Sequence, residues 1–299
     1  MPDIIGILET QGPLTGKELI QETGKDVFAL WAACNRSKQI ITRIIGNRYL
    51  RLDRQIEGYA RLSPSIMREF LGYTVIGVEK HWQNVLLKAE LLQKEIRDVS
   101  KKKFELAQKT IQRVVDDHKE CALINQRVCF MIAGDVVYDM AHAEPRPEAS
   151  TGELVKGSDL DIIVILNHLP EQVKRSLDSA IYQEKHKLLM NPSSREEIDY
   201  IVKDLFKVQD QLQFKDFKSM VASKILDESR FLFGSRDLFH KIKNMLLREG
   251  IPEKILALEK EAILNREHAE SYLLNAVGNL SEEEAMKYFY TTEEKEEIY

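Results

Sequence analysis

The chain has little of what marks secreted or membrane-spanning proteins. Its only cysteines are Cys34, Cys121 and Cys129, which form no Cys-x-x-Cys pair and, being odd in number, cannot all be bonded to each other. This usage is typical of a reducing compartment. No apolar run approaches the length of a membrane span, and the sequence starts Met-Pro-Asp rather than with a basic segment. We therefore expect a cytoplasmic protein that does not enter a membrane.

The composition also argues against a zinc protein. No two of the seven histidines lie at helical i, i+4 spacing with an acid beside them. Charged residues make up 30% of the 299 positions, and the net charge is −5. A chain of this length can form two or three domains with apolar cores. The sequence contains no internal repeat and no low-complexity linker.

The strongest chemical signal is a pair of aspartates at the start of an apolar run. Asp159 and Asp161 precede a β-branched segment that ends at Leu166, which predicts a buried strand. Side chains alternate across a strand, so both carboxylates share one face and repel each other unless a cation lies between them. Mg²⁺ or Mn²⁺ suits such oxygen ligands, because these ions couple one or two carboxylates to substrate phosphates.

Two further segments complete a candidate active centre. A strand-like run from Val128 to Ala133 reaches Gly134, and residues 136–141 are predicted to form the next helix. A glycine at such a turn lets backbone N–H groups approach a phosphate. Asp199 lies in a half-buried strand pattern downstream, where it would add a third carboxylate to a two-metal site.

This ordered set resembles the DNA polymerase β-like nucleotidyltransferase superfamily over residues 120–235. The resemblance implies a mixed-sheet α/β (α+β) core that moves an NMP from an NTP to a hydroxyl or phosphate acceptor. It also implies that Asp159, Asp161 and Asp199 are catalytic metal ligands. Residues expected near the nucleotide are Gly134, Asp135, Ser158, Arg146 and Lys156. The acceptor stays open: a protein side chain, an RNA end, a small molecule or a second nucleotide all fit the fold.

The chain departs from this family at two points. Asp135 stands where the family has Ser or Gly, and we expect it to cap the following helix rather than to bind a ligand. Residues 143–156 lengthen the connection to Asp159 and are predicted to be a polar loop. The alternative function is therefore a regulator with a weak or inactive nucleotidyltransferase fold that binds DNA.

Residues 1–78 are predicted to form a winged helix-turn-helix. Thr15 and Asp26 are predicted caps of its second and third helices, and runs at 40–45 and 48–52 around a Gly-Asn turn predict a hairpin wing. Basic residues cluster on the third helix and wing, where a nucleic-acid-binding module would meet phosphates. They are Arg36, Lys38, Arg43, Arg48 and Arg51. Acidic residues nearly cancel their charge, so a protein-docking role is the competing interpretation.

The rest of the chain is predicted to be mainly helical. Residues 79–120 form a long connecting helix whose apolar seam packs on the C-terminal helices or mediates a homodimer. The nucleotidyltransferase domain is assigned to residues 121–235 and a C-terminal helical region to 236–299. Ser281 begins a last capping box, and the acidic stretch 293–297 is expected to be a solvated end.

Overall fold

The computed structural model describes residues 4–53, 60–148, 152–276, 280–291 and 294 and has a mixed α/β fold. The helices are α1 (Ile4–Gln11), α2 (Gly16–Thr23), α3 (Val27–Arg36), α4 (Ile66–Gly72), α5 (Trp82–Asp116), α6 (Cys121–Arg127), α7 (Glu171–Met190), α8 (Leu205–Gln211), α9 (Phe217–Glu228), α10 (Arg236–Arg248), α11 (Ile251–Asn275) and α12 (Glu282–Glu284). The strands are β1 (Leu14–Thr15), β2 (Ile40–Ile44), β3 (Tyr49–Leu52), β4 (Ala60–Ser63), β5 (Thr74–Val78), β6 (Val128–Ile132), β7 (Pro145–Pro147), β8 (Leu154–Lys156), β9 (Leu160–Leu166), β10 (Ile198–Asp204) and β11 (Arg230–Gly234).

Spatial proximity of backbone atoms divides the chain into two units. Unit 1 comprises Met1–Glu95 with Ala257–Tyr299, and unit 2 comprises Ile96–Leu256. Both divisions fall inside long helices, α5 and α11. The four segments assigned from the sequence stay a prediction, because they follow motifs whereas these units follow spatial proximity.

Unit 1 combines α1–α4 with a three-stranded antiparallel sheet of order β1-β5-β2. The predicted caps are confirmed: Thr15 forms a capping box with Glu18, and the Asp26 side chain accepts from the Ala29 N–H. Such caps satisfy N–H groups that the first helical turn leaves without partners. The core includes Leu19, Leu30 and residues of the distant C-terminal segment, so both parts of the chain are needed to bury it.

The predicted hairpin wing is wrong. Strand β2 pairs with β5, and β3 pairs with β4, so the runs flanking the Gly-Asn turn do not pair with each other. The reason is nonlocal: β5 is fully buried and offers β2 a five-residue antiparallel ladder. The segment from Ile45 to Tyr73 lies between these paired strands and contains β3, β4 and α4.

Unit 2 has a four-stranded mixed sheet of order β10-β9-β6-β11. Strands β9 and β10 run parallel, whereas β6 is antiparallel to both β9 and β11. The apolar runs predicted as strands are β6 and β9, and their core-facing side chains are nearly inaccessible. Residues 96–116 of α5 add Ala107, Ile111 and Val115 to this core.

Two predicted elements next to the sheet are corrected. Residues 136–141 do not form a helix: a 3₁₀ turn covers Gly134–Val136, and Asp139 follows with φ of +57°. Val136 and Val137 are buried in the core, and β-branched residues with a positive-φ residue behind them do not favour a helix. The predicted loop 143–156 contains an antiparallel ribbon of β7 and β8.

The long connecting helix is observed as α5, which is shorter than the predicted 79–120, and the C-terminal region contains the helices α10, α11 and α12. The predicted seam of α5 is buried at Val85, Ala89 and Ile96, whereas the side chain of Trp82 is half exposed. Ser281 caps α12 as predicted. In the acidic stretch 293–297 only Glu294 is described, and it is fully buried rather than solvated. Among the described helices, none has the length and apolar character that crossing a membrane requires.

Burial separates the three cysteines by reactivity. Desolvation raises the pKa of the Cys34 and Cys129 thiols to about 12, while Cys121 is partly exposed. Because the thiolate is the nucleophile, we expect a disulfide reagent near pH 8 to modify one thiol quickly and two only upon unfolding. Absorbance stopped-flow measures this, and Cys121→Ser should remove the fast phase. Two or more fast thiols in the folded wild type would contradict the burial.

Candidate active site

Two aspartates stand at the start of the buried central strand of unit 2. Asp159 directly precedes β9, and Asp161 is its second residue. Leu160 between them points into the core and is fully buried, so alternation turns both carboxylates to the opposite face. The Asp159 side chain retains 38% exposure and is therefore open to a ligand from solvent.

The turn after β6 lies against Asp161. The Ala133 N–H donates to the Asp161 carbonyl (3.0 Å), which extends the β6–β9 ladder past the end of β6. Gly134 then adopts φ of +70°, and a Cβ there would lie 2.0 Å from Asp161 Oδ2. Only glycine combines this conformation with such a close approach. The predicted glycine turn is thus in contact with one member of the aspartate pair.

Asp135 does not cap a helix, in contrast to the sequence-based expectation. Its carboxylate accepts a hydrogen bond from Ser158 Oγ (3.0 Å), and Ser158 Oγ accepts from the His142 N–H (3.2 Å). The Ser158 N–H donates to the His142 carbonyl. Ser158 therefore ties the segment before β9 to the turn after β6. Its hydroxyl proton is engaged by a carboxylate of the same chain.

Arg146 enters the site from the β7–β8 ribbon. Its Nε donates to the Gly157 carbonyl (2.8 Å), its Nη2 donates to Glu197 (2.9 Å), and Nη2 lies 4.0 Å from Asp159 Oδ2. The residue is only 8% exposed, so it holds carboxylates of its own chain instead of extending into solvent. The Lys156 ammonium faces away and donates to the Ser193 carbonyl.

A further acidic residue, Glu228, reaches the glycine turn from the end of α9. The Gly134 N–H points at Glu228 Oε1 (3.5 Å), and Tyr138 Oη donates to Oε2 (2.6 Å). Lys224 forms an ion pair with the same carboxylate, whose side chain is 6% exposed. The positive charge of Lys224 locally compensates the negative charge of Glu228.

Asp199 occupies the register position next to Asp161 on the parallel strand β10. Its side chain is 68% exposed, and one oxygen lies 4.0 Å from Lys185 Nζ. The neighbouring strands therefore bring the two carboxylates to the same edge of the sheet. Asp199 is the most accessible of the three predicted metal-binding carboxylates.

The site is electrostatically strained. Burial is the largest cause of the raised pKa of Asp159, Arg146 lowers it, and Asp135 raises it further. The pKa of Asp161 lies well above its ordinary value because burial and the surrounding charges of Asp159, Asp135, Asp199 and Glu228 all disfavour its ionised form. A cation bound here would relieve that repulsion.

The donor set is all oxygen, as Mg²⁺ requires. Within the described residues, however, no three His, Cys, Asp or Glu side chains converge into a metal-binding group. The carboxylates share an edge of the sheet but are directed to different partners, as with Asp135 to Ser158 and Asp159 toward Arg146.

Most of the predicted nucleic-acid-binding residues in unit 1 contact other parts of that unit. Arg36 donates to the carbonyls of Leu274 and Ala276. Arg48 pairs with Glu69 and Glu270, and Arg51 pairs with the buried Glu294. Lys38 and Arg43 are exposed, and neither has an ion pair within the described part of the chain. The predicted basic cluster is thereby reduced to these two side chains.

Sequence reasoning missed Glu197, Glu228, Tyr138 and Lys224. Glu197 directly precedes β10, so its adjacency to Asp199 is a usable signal. Glu228 and Lys224 are spaced i, i+4 on a helix, a pattern that ordinarily indicates a surface pair. No local signal places that pair beside Gly134, 94 residues away in sequence from Glu228.

Gly134→Ala tests the close approach of the turn to Asp161. The substitution combines a disfavoured φ with a Cβ in contact with a carboxylate oxygen, and we expect it to lower the free energy of unfolding by about 2–4 kcal/mol. Gly152→Ala is the matched control, since Gly152 has the same φ of +70° but no atom of another described residue within 4 Å of the added Cβ. Its expected cost is about 1 kcal/mol. Equal losses in urea denaturation would refute the contact.

Asp161→Asn tests the repulsion among the carboxylates. A raised pKa means that the folded state holds this proton more tightly than the unfolded state, so wild-type stability falls as pH rises from about 4 through the raised pKa. We expect Asp161→Asn to raise the melting temperature in EDTA at neutral pH. Asp199→Asn, at an exposed position, should change it little. A lower melting temperature for Asp161→Asn would contradict the electrostatic account.

Comparison with known proteins adds no assignment to this site. No protein-family model matches the chain, and no curated protein is significantly similar to it. The chemistry must therefore be argued from the arrangement of these side chains.

Proposed function

We propose that unit 2 is a metal-dependent nucleotidyltransferase domain that moves an NMP from an NTP to a hydroxyl or phosphate acceptor. The observation that carries this proposal is the contact between the Gly134 turn and Asp161. It puts a backbone turn suited to phosphate beside carboxylates suited to a cation. The order β10-β9-β6, with Asp199 in register with Asp161, further supports it.

In this proposal Asp159 and Asp161 hold Mg²⁺ or Mn²⁺, and Asp199 adds a ligand. The ions supply charge neutralisation of the phosphates and activation of the acceptor. The raised pKa values of both aspartates favour the proposal, because a bound cation would relieve the same repulsion between carboxylates that makes them hold a proton more tightly. Asp159 would turn from Arg146, which keeps Glu197 as a partner.

The chain's own residues would position the nucleotide. The Gly134 N–H is directed toward Glu228 at 3.5 Å, a long hydrogen bond that a phosphate oxygen would replace. Ser158 and Asp135 stay linked to hold the turn against β9. Arg146 fixes Asp159 and Glu197 relative to the ribbon, so its role would be to orient carboxylates rather than to bind phosphate.

Unit 1 is proposed to be a winged helix with an insertion between the strands of its wing. The three-stranded order β1-β5-β2 and the capped helices α2 and α3 support this interpretation. Nucleic-acid binding would then depend on Lys38 and Arg43, the exposed members of the predicted cluster.

A regulator without catalysis is the second candidate. It is favoured by the absence, among the described residues, of three converging metal ligands. It is also favoured by the hydrogen bonds that Ser158 Oγ donates to Asp135 and that the Gly134 N–H donates to Glu228. In this case the domain would bind nucleotide or a partner without turnover.

Pyrophosphate release separates the two candidates. We expect the wild type to release pyrophosphate from at least one NTP with Mg²⁺ or Mn²⁺, and Asp159→Ala/Asp161→Ala to lower the rate at least about a hundredfold. Asp210→Ala is the control, because Asp210 is an exposed acid of the same unit paired with Lys207. Mass spectrometry of the reaction would show whether the protein itself is the acceptor.

Two outcomes would decide against transfer chemistry at this site. Release that persists in the double variant would place the reaction elsewhere. Absence of release together with absence of metal-dependent NTP binding, measured by calorimetry on the same samples, would favour the regulator.

A further inference from the structure

Strand β10 is an open edge of the unit 2 sheet. It pairs with β9 on one side, and within the described residues no strand pairs with its other side. At seven residues it is long for an exposed edge, which proteins usually keep short or cover. Such an edge presents a row of N–H and C=O groups to another strand.

The register shows which backbone groups face outward. The Leu160 N–H donates to the Glu197 carbonyl, so Glu197 and every second residue after it point their polar groups to β9. The N–H and C=O groups of Ile198, Tyr200 and Val202 therefore point away from the sheet. None of these outward groups is hydrogen-bonded to another described residue.

The side chains along this edge are symmetric about Ile201. Asp199 and Lys203 lie two positions before and after it, on the same face, and Ile201 itself is 48% exposed. Lys203 is half buried yet has no ion pair with any described residue, and its pKa is lowered by burial and by the like charge of Lys207. Phe206, just beyond the strand, is 80% exposed. Burial of a lysine without a counter-charge is costly.

We propose that β10 pairs antiparallel with β10 of a second copy of this chain, with the two-fold axis at Ile201. In this register all seven residues pair, and the outward groups of Tyr200 face those of Val202 in the partner subunit. Asp199 then lies opposite Lys203 of the partner subunit, twice by symmetry. The two Ile201 side chains meet at the axis, in a closed isologous contact.

Charge complementarity selects this register over its neighbours. Moving the axis by one residue toward the N-terminus sets Asp199 opposite Ile201 and Lys203 opposite Glu197, whose carboxylate is already hydrogen-bonded to Arg146. Moving it toward the C-terminus sets Lys203 opposite Ile201. Charged residues normally protect an edge by repelling a like edge. Here the opposite signs at equal distances from Ile201 attract an antiparallel copy instead.

The proposal does not rest on the proposed catalytic function. It does predict that Lys203 of the partner subunit borders Asp199, and therefore each candidate active site, whatever chemistry occurs there. The experiment uses the full-length protein, with both units present.

Sedimentation velocity over a concentration series tests the dimer. We expect a reversible monomer–dimer equilibrium in the wild type. Lys203→Glu and Asp199→Lys should each raise the dissociation constant about tenfold or more, because like charges then face each other twice. The double variant Asp199→Lys/Lys203→Glu should restore it to near the wild-type value.

Val202→Pro tests the backbone pairing. It removes an outward N–H without a bond to β9, so the strand can keep its place while the copy is excluded. Circular dichroism and the melting temperature show whether each variant is folded. A wild type that stays monomeric throughout, or a dimer that folded Val202→Pro and the single charge variants leave unchanged, would overturn the proposal.

Discussion

Repulsion among carboxylates at the start of β9 is the constraint that the rest of unit 2 must offset. The apolar run Leu160–Leu166 buries the strand and with it the base of Asp161, so the negative charges cannot move far apart. Cationic side chains and a hydrogen bond offset this repulsion. Arg146 lies near Asp159, Ser158 donates to Asp135, and Lys224 pairs with Glu228. A fold that concentrates like charge in this way loses stability at the site and gains affinity for a cation.

Local patterns carried the sequence-based predictions that are confirmed. Thr15 and Asp26 cap helices because their side chains reach N–H groups three residues away, a relation that the sequence states directly. The apolar runs of β6 and β9 specify buried strands for the same reason. From these two strands the sequence also predicts that Asp159 and Asp161 share one strand face and that Gly134 lies in the turn after β6.

Nonlocal contacts explain what could not be predicted. Arg48 and Arg51 resemble a phosphate-binding cluster in the sequence, yet Arg48 pairs with Glu69 and Glu270 and Arg51 with Glu294. Glu270 and Glu294 lie more than 200 positions from these arginines. The pairing of β2 depends on β5, which follows an inserted segment. The sequence predicts that Arg146 lies in a polar loop, whereas in the structure the β7–β8 ribbon buries it against Gly157 and Glu197. Neither the hydrophobic periodicity nor the spacing of motifs in the sequence predicts these long-range contacts.

The division of the chain imposes an order on biosynthesis. Unit 2 is a continuous segment, whereas the core of unit 1 includes Leu19 and Leu30 together with Leu273 and Phe289 from the far end of the chain. Because the polypeptide leaves the ribosome N-terminus first, unit 2 can complete its core while unit 1 still lacks its C-terminal core residues. Until the C-terminal segment is synthesised, the N-terminal part of unit 1 therefore exposes apolar surface that its core will later bury.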